Sequence, residues 1–302
     1  MVLLSHRYSP INIDSDWGST IDIDLKNTDL VQDYDLVVVP GTLSGGTSPA
    51  YSYSYLNPVV QSVKVQGDNN TYLSADVPQL NEMLKMVRGV STPSGTSVKI
   101  HMNALDFSTR KYLKAFSYPS YAFVNNTMQI TLPPLSQITT GSPTGTSGSQ
   151  LYLTEHVVSR QSVDFKLFPF KMLKISSSLG LTGDNDLTNY LSTDAYYQAL
   201  LHFVSTTQGA YTSGSNSTIN YMDLILNNEI NLFSDYYYNI QASNLNEFGT
   251  SPDTGFALQV FMNDTDLSDL LNLSSSIVNK TVNLKVNTFE SGYLTTLKMV
   301  MF

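Results

Sequence analysis

Residues 20–46 read TIDIDLKNTDLVQDYDLVVVPGTLSGG, and their pattern sets the fold class. Ile21, Ile23 and Leu25 alternate with Asp22, Asp24 and Lys26, the two-residue period of a strand with one buried face. After a polar link, Leu36-Val37-Val38-Val39 runs into Pro40-Gly41. An unbroken apolar run closed by a turn signal predicts a strand buried on both faces. A loop rich in Gly, Ser and Tyr follows from Ser44 to Ser54, and Val59, Val63 and Val65 then mark a further strand, stopped at Gly67-Asp68-Asn69-Asn70.

The next segment predicts a helix. Asp76 suits an N-cap, Gln79 stands three residues on as in a capping box, and Pro78 falls in the first turn, where its missing N–H costs nothing. Leu80, Met83, Leu84 and Val87 share one helical face, and Gly89 is placed to end the helix. Beyond it the strand signal returns at Val98–Leu105, Tyr121–Leu132, Val163–Leu167, Leu200–Val204, Tyr221–Leu226, Phe256–Phe261, Val282–Val286 and Leu297–Met301. A second short helix is expected at Leu267, Leu270 and Leu271, behind Asp264 and Asp266. Residues 136–150, SQITTGSPTGTSGSQ, hold almost nothing that could enter a core, and predict a linker or a long exposed loop. Seven or eight strand candidates lie on each side of it. That fits two eight-stranded sandwiches better than one barrel.

Composition agrees. Of 302 residues, 41% are apolar and 14% charged, against about 25% charged in an average globular chain, which excludes disorder and a free coiled coil. Nineteen Tyr and thirteen Phe favour strands. The absence of Cys removes disulfides, thiolate metal sites and cysteine nucleophiles. The opening MVLLSHRYSP has only Val2–Leu4 as an apolar run, too short for a signal-peptide core, and no window reaches the roughly 18 apolar residues of a membrane span. The net charge of −9 is segregated: residues 1–84 carry ten acids and three bases, 85–174 three acids and ten bases, and 175–279 eleven acids and no Lys or Arg. So acidic a chain is a poor general binder of polyphosphate. Uneven surface charge accounts for the segregation, and so would complementary faces meeting between copies.

Reactive groups are sparse. His6, His101, His156 and His202 are far apart in sequence and lack metal-ligand spacing; His202, between Leu201 and Phe203, reads as a satisfied core histidine. No nucleophile elbow, phosphate loop or dinucleotide fingerprint occurs, and Leu43-Ser44-Gly45-Gly46 lacks the Lys and helix that would make it one. Asp184 and Asp186, and Asp264, Asp266 and Asp269, are weak candidates to supply oxygen ligands to a structural Ca²⁺, though neither stretch completes a calcium loop. Solvated turn acids are the simpler reading. The matches at Asn69-Asn70-Thr71 and Asn216-Ser217-Thr218 are expected by chance in a chain this rich in Ser and Thr. The sequence reads as a shaped surface, with no catalytic residues and no cofactor.

The order of elements in residues 20–87 carries a family likeness. The stretch quoted above, then a loop, then NPVVQSVKVQGDNNTYLSADVPQLNEMLKMV at 57–87, resembles the opening of double jelly-roll major capsid proteins of tailless icosahedral viruses, many with an internal membrane. VDFKLFPF at 163–170 is similar to the aromatic, Pro-containing strands near their barrel junction, and 302 residues suits a small, bacteriophage-type member. The resemblance implies an all-β fold of two consecutive eight-stranded jelly rolls with one or two short helices, residues 1–160 with the N-terminal segment and residues 161–302. It further implies homotrimers that tile a shell as pseudo-hexamers. Its partners would be neighbouring capsomers, penton and minor capsid proteins and an internal viral membrane, without sequence-specific nucleic acid. The place would be the virion, assembled in the host cytoplasm. Loops 42–54, 136–150 and 205–218 would lie at barrel ends, and the segment before Trp17 inward, with Arg7 near lipid or a neighbouring capsomer. Two alternatives stand beside it. One is a spike, adhesin or carbohydrate-binding β-sandwich using Tyr51, Tyr53 and Tyr55 or Tyr236 to Tyr238 as sugar platforms. The other is a single jelly roll with a large insertion.

Overall fold

The computed structural model describes residues 3–27, 29–90, 94–102, 117–158, 170–180, 182–261, 271–273 and 281–301. The chain divides into two compact units: Met1–Lys85 with Val90–Leu173, and Met86–Gly89 with Lys174–Phe302.

The first unit holds eight principal strands: β1 (Leu3–Arg7), β2 (Thr20–Asp24), β3 (Leu30–Val39), β4 (Ser62–Gly67), β5 (Asn70–Asp76), β6 (Ser97–His101), β7 (Asn126–Thr131) and β8 (Gln150–Val158). They form two sheets, in the orders β1-β8-β3-β6 and β5-β4-β7-β2. With strands lettered B to I in chain order, these are the BIDG and CHEF sheets of a jelly roll. The core is the inward half of each alternation: Tyr34, Leu36 and Val38 on β3, Leu151 and Leu153 on β8, Val63 and Val65 on β4, Met128 and Ile130 on β7, all buried. Residues 36–39 depart from the expectation. Val37 is 38% and Val39 48% exposed. They continue the outward row begun by Asp33 and Asp35, so the strand is longer than its apolar run and covered on one face only.

Helix α1 (Val77–Arg88) follows β5 without a break. The backbone N–H of Asp76 donates to Gln79 Oε1 at 3.3 Å, the returning half of a capping box. Val77, Leu80, Met83 and Met86 are buried, while Leu84 and Val87 are half-buried.

The second unit repeats the plan with β9 (Phe170–Leu179), β10 (Gly183–Leu191), β11 (Tyr196–Ser205), β12 (Ile219–Leu226), β13 (Ile230–Tyr236), β14 (Phe256–Val260), β15 (Val282–Thr288) and β16 (Gly292–Met301). The sheets are β9-β16-β11-β14 and β10-β15-β12-β13, again BIDG and CHEF. The first residues of β9, through Leu173, still belong to the first unit, where Met172 and Leu173 pair in parallel with Leu73 and Ser74 of β5. As in the first unit, a helix follows the F strand directly: α2 (Tyr237–Phe248), 12 residues like α1. It ends at Gly249, whose φ of 66° is the left-handed cap conformation and whose N–H donates to Leu245 O at 2.9 Å. The sequence reading missed α2. The helix expected near Leu267 lies outside the described residues apart from Leu271, which forms a short strand with Asn272. The strand expected at 163–167 also lies outside them.

Residues 136–150 belong inside the first unit, between β7 and β8, and are no linker between sandwiches. Thr139 and Thr140 pair with Tyr51 and Ala50; Gly145, Thr146 and Ser147 pair with Ser44, Leu43 and Thr42. Two loops of weak apolar content thus order each other through backbone hydrogen bonds. Gly46 sits where a side chain would strike the carbonyl of Gly141, at a φ of 71°. Asp14 anchors the arrangement, accepting from the N–H of Ser149 at 2.9 Å, the N–H of Gly148 at 2.8 Å and Thr146 Oγ1 at 2.9 Å. The Ser149 bond is the main reason its carboxyl lies well below the usual range. The segment before Trp17 includes β1, which pairs along its length with β8, Leu3 opposite Val158 through Arg7 opposite Thr154. Among the described residues no helix is long and apolar enough to cross a membrane.

Candidate functional site

Three surfaces concentrate chemistry. The first is the outer face of the β1-β8-β3-β6 sheet. Register brings together residues that sequence distance separates: Ser5 opposite His156, His156 opposite Asp33, and Asp33 opposite His101. The side chains interlock across the strands, His156 reaching diagonally to Asp35. His156 Nε2 lies 2.6 Å from Asp35 Oδ2, His101 Nδ1 2.5 Å from Asp33 Oδ1, and His156 Nδ1 3.2 Å from Ser5 Oγ. Lys99 Nζ stands 3.8 Å from Asp35 and 4.0 Å from Asp33. Burial raises the Asp33 carboxyl, but the hydrogen bond and charge of His101, with Lys99 and His156, outweigh it and hold the group below its ordinary value. Beside this ladder Val37, Val39 and Tyr152, the last 36% exposed, form an apolar strip on the same face. Only the cross-strand register could have revealed the cluster.

The second surface is the outer face of β10-β15-β12-β13. Asp184 accepts from Lys285 Nζ at 2.8 Å, Asn287 Nδ2 at 2.7 Å and Tyr221 OH at 3.1 Å. Lys285 is the chief reason its carboxyl is held down to about 2. Asp186, exposed, lies opposite Lys285 in the register. Asp264, Asp266 and Asp269 lie outside the described residues, and among the described residues no three His, Asp or Glu side chains are grouped to hold a metal ion.

Third are the tyrosines. Tyr236 (50%) and Tyr238 (64%) are exposed, with ring centroids 5.8 Å apart, whereas Tyr237 is buried and its OH donates to Gly255 O at 2.5 Å. In the paired loops Tyr51 and Tyr53 have centroids 6.0 Å apart, and Tyr51 OH donates to Gly41 O at 2.9 Å. The 205–218 loop is held by Tyr211, buried and stacked on Phe203 at 4.4 Å.

His202 is buried in the second unit, its Nδ1 2.9 Å from Thr296 Oγ1 and its Nε2 3.4 Å from Gln259 Oε1. Burial pushes it down to about 4, so it is a neutral, satisfied core residue, as its apolar flanks predict. A small polar cleft lies among Gln66, Asp68, Asn69, Asn125 and Thr127. Its one carboxylate already accepts the N–H groups of Val124 and Asn125, at 3.1 and 2.9 Å. These surfaces are equipped for contact: apolar strips edged by paired charges and exposed aromatic rings.

No protein-family model matches the sequence, and no curated protein does. Solved structures match over the whole length. The STIV MCP superposes with a TM-score of 0.72 at 13% identity, covering 100% of this chain and 97% of its own. The major capsid protein P2 of bacteriophage PM2 gives 0.67 at 10% identity, with 99% and 98% covered. A chain of the PBCV-1 virus capsid gives 0.62 at 12% identity, with 99% and 94% covered. At such identities the likeness shows the fold, and it agrees with the strand orders above: all-β, two jelly rolls in tandem.

Proposed function

We propose that this chain is a viral major capsid protein that assembles as homotrimers into an icosahedral shell. The observation that carries the reading is the pair of jelly rolls with the same BIDG and CHEF strand order, filling a chain that matches the capsid proteins of PM2 and PBCV-1 over nearly its full length. Two like units per subunit give a trimer six similar flanks, so one gene product can tile a curved sheet. The function lies in packing and surface complementarity, and the reading calls for no catalytic step and no cofactor. A structural Ca²⁺ at Asp184 and Asp186 would have to displace Lys285.

On this reading the first jelly roll spans residues 1–160 and the second 161–302. The partners are other copies, penton and minor capsid proteins and an internal membrane, with no sequence-specific nucleic acid. The site is the virion, built in the host cytoplasm. Light scattering of the purified protein tests it: a stable species of three times 33.4 kDa is expected, and a monomer at micromolar concentration overturns it. The exposed Tyr236–Tyr238 pair favours a second reading, a sugar-binding module, for which retention of a monomer on glycan arrays is the signature.

A further inference from the structure

Among the described residues strand β1 lies at an edge of its sheet, bonded on one side to β8. Its alternation sends Ser5 and Arg7 outward and His6 inward, directly opposite Glu155. Glu155 is an acid at a core position, between Leu153 and Val157 on the buried row of β8, and is 1% exposed. His6 Nδ1 lies 3.5 Å from Glu155 Oε2, and His6 Nε2 lies 3.9 Å from Asp29 Oδ2. The imidazole thus stands between two carboxyl groups.

Among the described residues, the other groups that face Glu155 are few. Tyr8 follows β1, Lys26 and Asp29 belong to the segment before β3, Tyr34 is on β3, and Tyr118 is on the short strand paired with Val31. Of these Lys26 alone is cationic, and its backbone N–H is tied to Tyr8 OH at 2.8 Å. A protonated Glu155 carboxyl can turn its hydrogen to the imidazole beside it; ionised, it is a desolvated carboxylate facing Asp29, with Tyr8 and Lys26 pulling the other way.

We propose that His6, Glu155 and Asp29 form a proton-dependent latch, which fastens edge strand β1 to the first jelly roll in acid and loosens it above neutrality. The inference is independent of the capsid reading. Burial, with Asp29, raises the Glu155 carboxyl to about 7 against the pull of Tyr8 and Lys26. A carboxyl raised in the folded state stabilises it fully below the unfolded value, about 4.3, and that contribution fades as pH climbs through about 7. Where opening of β1 admits water to the Glu155 carboxyl, the span makes that opening at most on the order of 100-fold easier.

The test is amide hydrogen exchange of the full chain from pH 5 to 8.5, corrected for intrinsic rates, with β15 amides as the internal reference. Protection of residues 3–8 is expected to fall, by at most about 100-fold, relative to the reference. E155Q makes the protection flat with pH, and D29N shrinks the fall, because Asp29 is one of the groups that keep Glu155 protonated. Flat protection in the unmodified chain, or an undiminished fall in E155Q, overturns the proposal. Should E155Q fail to fold, carbon NMR titration of the Glu155 carboxyl in the unmodified chain decides: a midpoint well above 4.3 supports the latch, and an ordinary midpoint sinks it.

Discussion

β3 and β11 occupy the same place, the D strand, in jelly rolls of one strand order, yet they solve opposite problems. On β3 every second residue faces outward, and the row Asp33, Asp35, Val37 and Val39 is dressed with His101, His156 and Lys99 from its neighbours. On β11 every residue from Tyr197 to Ser205 is buried, His202 and Gln198 included. A buried polar atom must then find a partner inside the protein. His202 finds Thr296 and Gln259, Tyr190 OH donates to Thr296, and Lys298 donates to the Tyr190 carbonyl while standing 4.9 Å over its ring. The strand order therefore fixes neighbours and leaves the environment of each sheet face to the side chains.

The contrast breaks first where packing is tightest. Phe203 is buried between Tyr211 and Phe256, at ring distances of 4.4 and 4.6 Å. Phe203→Ala should cost about 3–5 kcal/mol in denaturant unfolding, through the cavity it leaves. Val39→Ala, on the exposed side of β3, should stay within about 0.5 kcal/mol. A similar loss from both would show that the two strands are not differently covered.

Acid separates the units next. His202 is held neutral with its value lowered to about 4, so its contribution is complete above the unfolded value near 6.5 and is lost as pH falls towards 4. The loss amounts to about 3 kcal/mol, visible as a falling Tm between pH 6.5 and 4 that His202→Gln flattens. Glu155 works in the opposite direction, so exchange protection should fall in β11 with acid and in β1 with alkali. Smaller still is Asp14→Ala, which removes three hydrogen bonds from the paired loops. It should cost about 1–2 kcal/mol and speed proteolysis within residues 139–149. Least of all, a double-mutant cycle between His101 and Asp33 should return no more than about 1 kcal/mol, as for other partly exposed pairs.

Which of these features could be read from the sequence follows from how far apart the interacting residues stand. The α1 signals, Asp76, Pro78, Gln79 and Gly89, act within one segment, and the helix is where they put it. Alternation placed β2, β4 and β15 for the same reason. α2 has no such signal: its N-cap position is Tyr236, which makes no side-chain cap bond, and Tyr and Asn are indifferent helix formers. Tertiary packing of Tyr237, Ile240 and Asn244 holds it instead. Asn244 Nδ2 and Oδ1 bracket Leu258, at 2.5 Å to its O and 2.8 Å from its N. The histidine–aspartate ladder joins residues 68 and 121 positions apart; no local pattern encodes it. The duplication was legible as a strand count but not residue by residue, for a related reason: the two units share strand order and helix placement while their side chains solve the different problems set out above.

Glu155 and His156 are consecutive on β8 and point to opposite sides of the sheet, each meeting a partner of complementary character. Inserting or deleting a single residue within 150–158 would exchange their sides, driving an imidazole inward and a carboxyl outward and breaking every pairing at once. A change of length is accommodated instead in the facing loops at 42–51 and 139–147, which pair with each other. There growth of one loop can be matched by growth of the other while the strands beneath them keep their register.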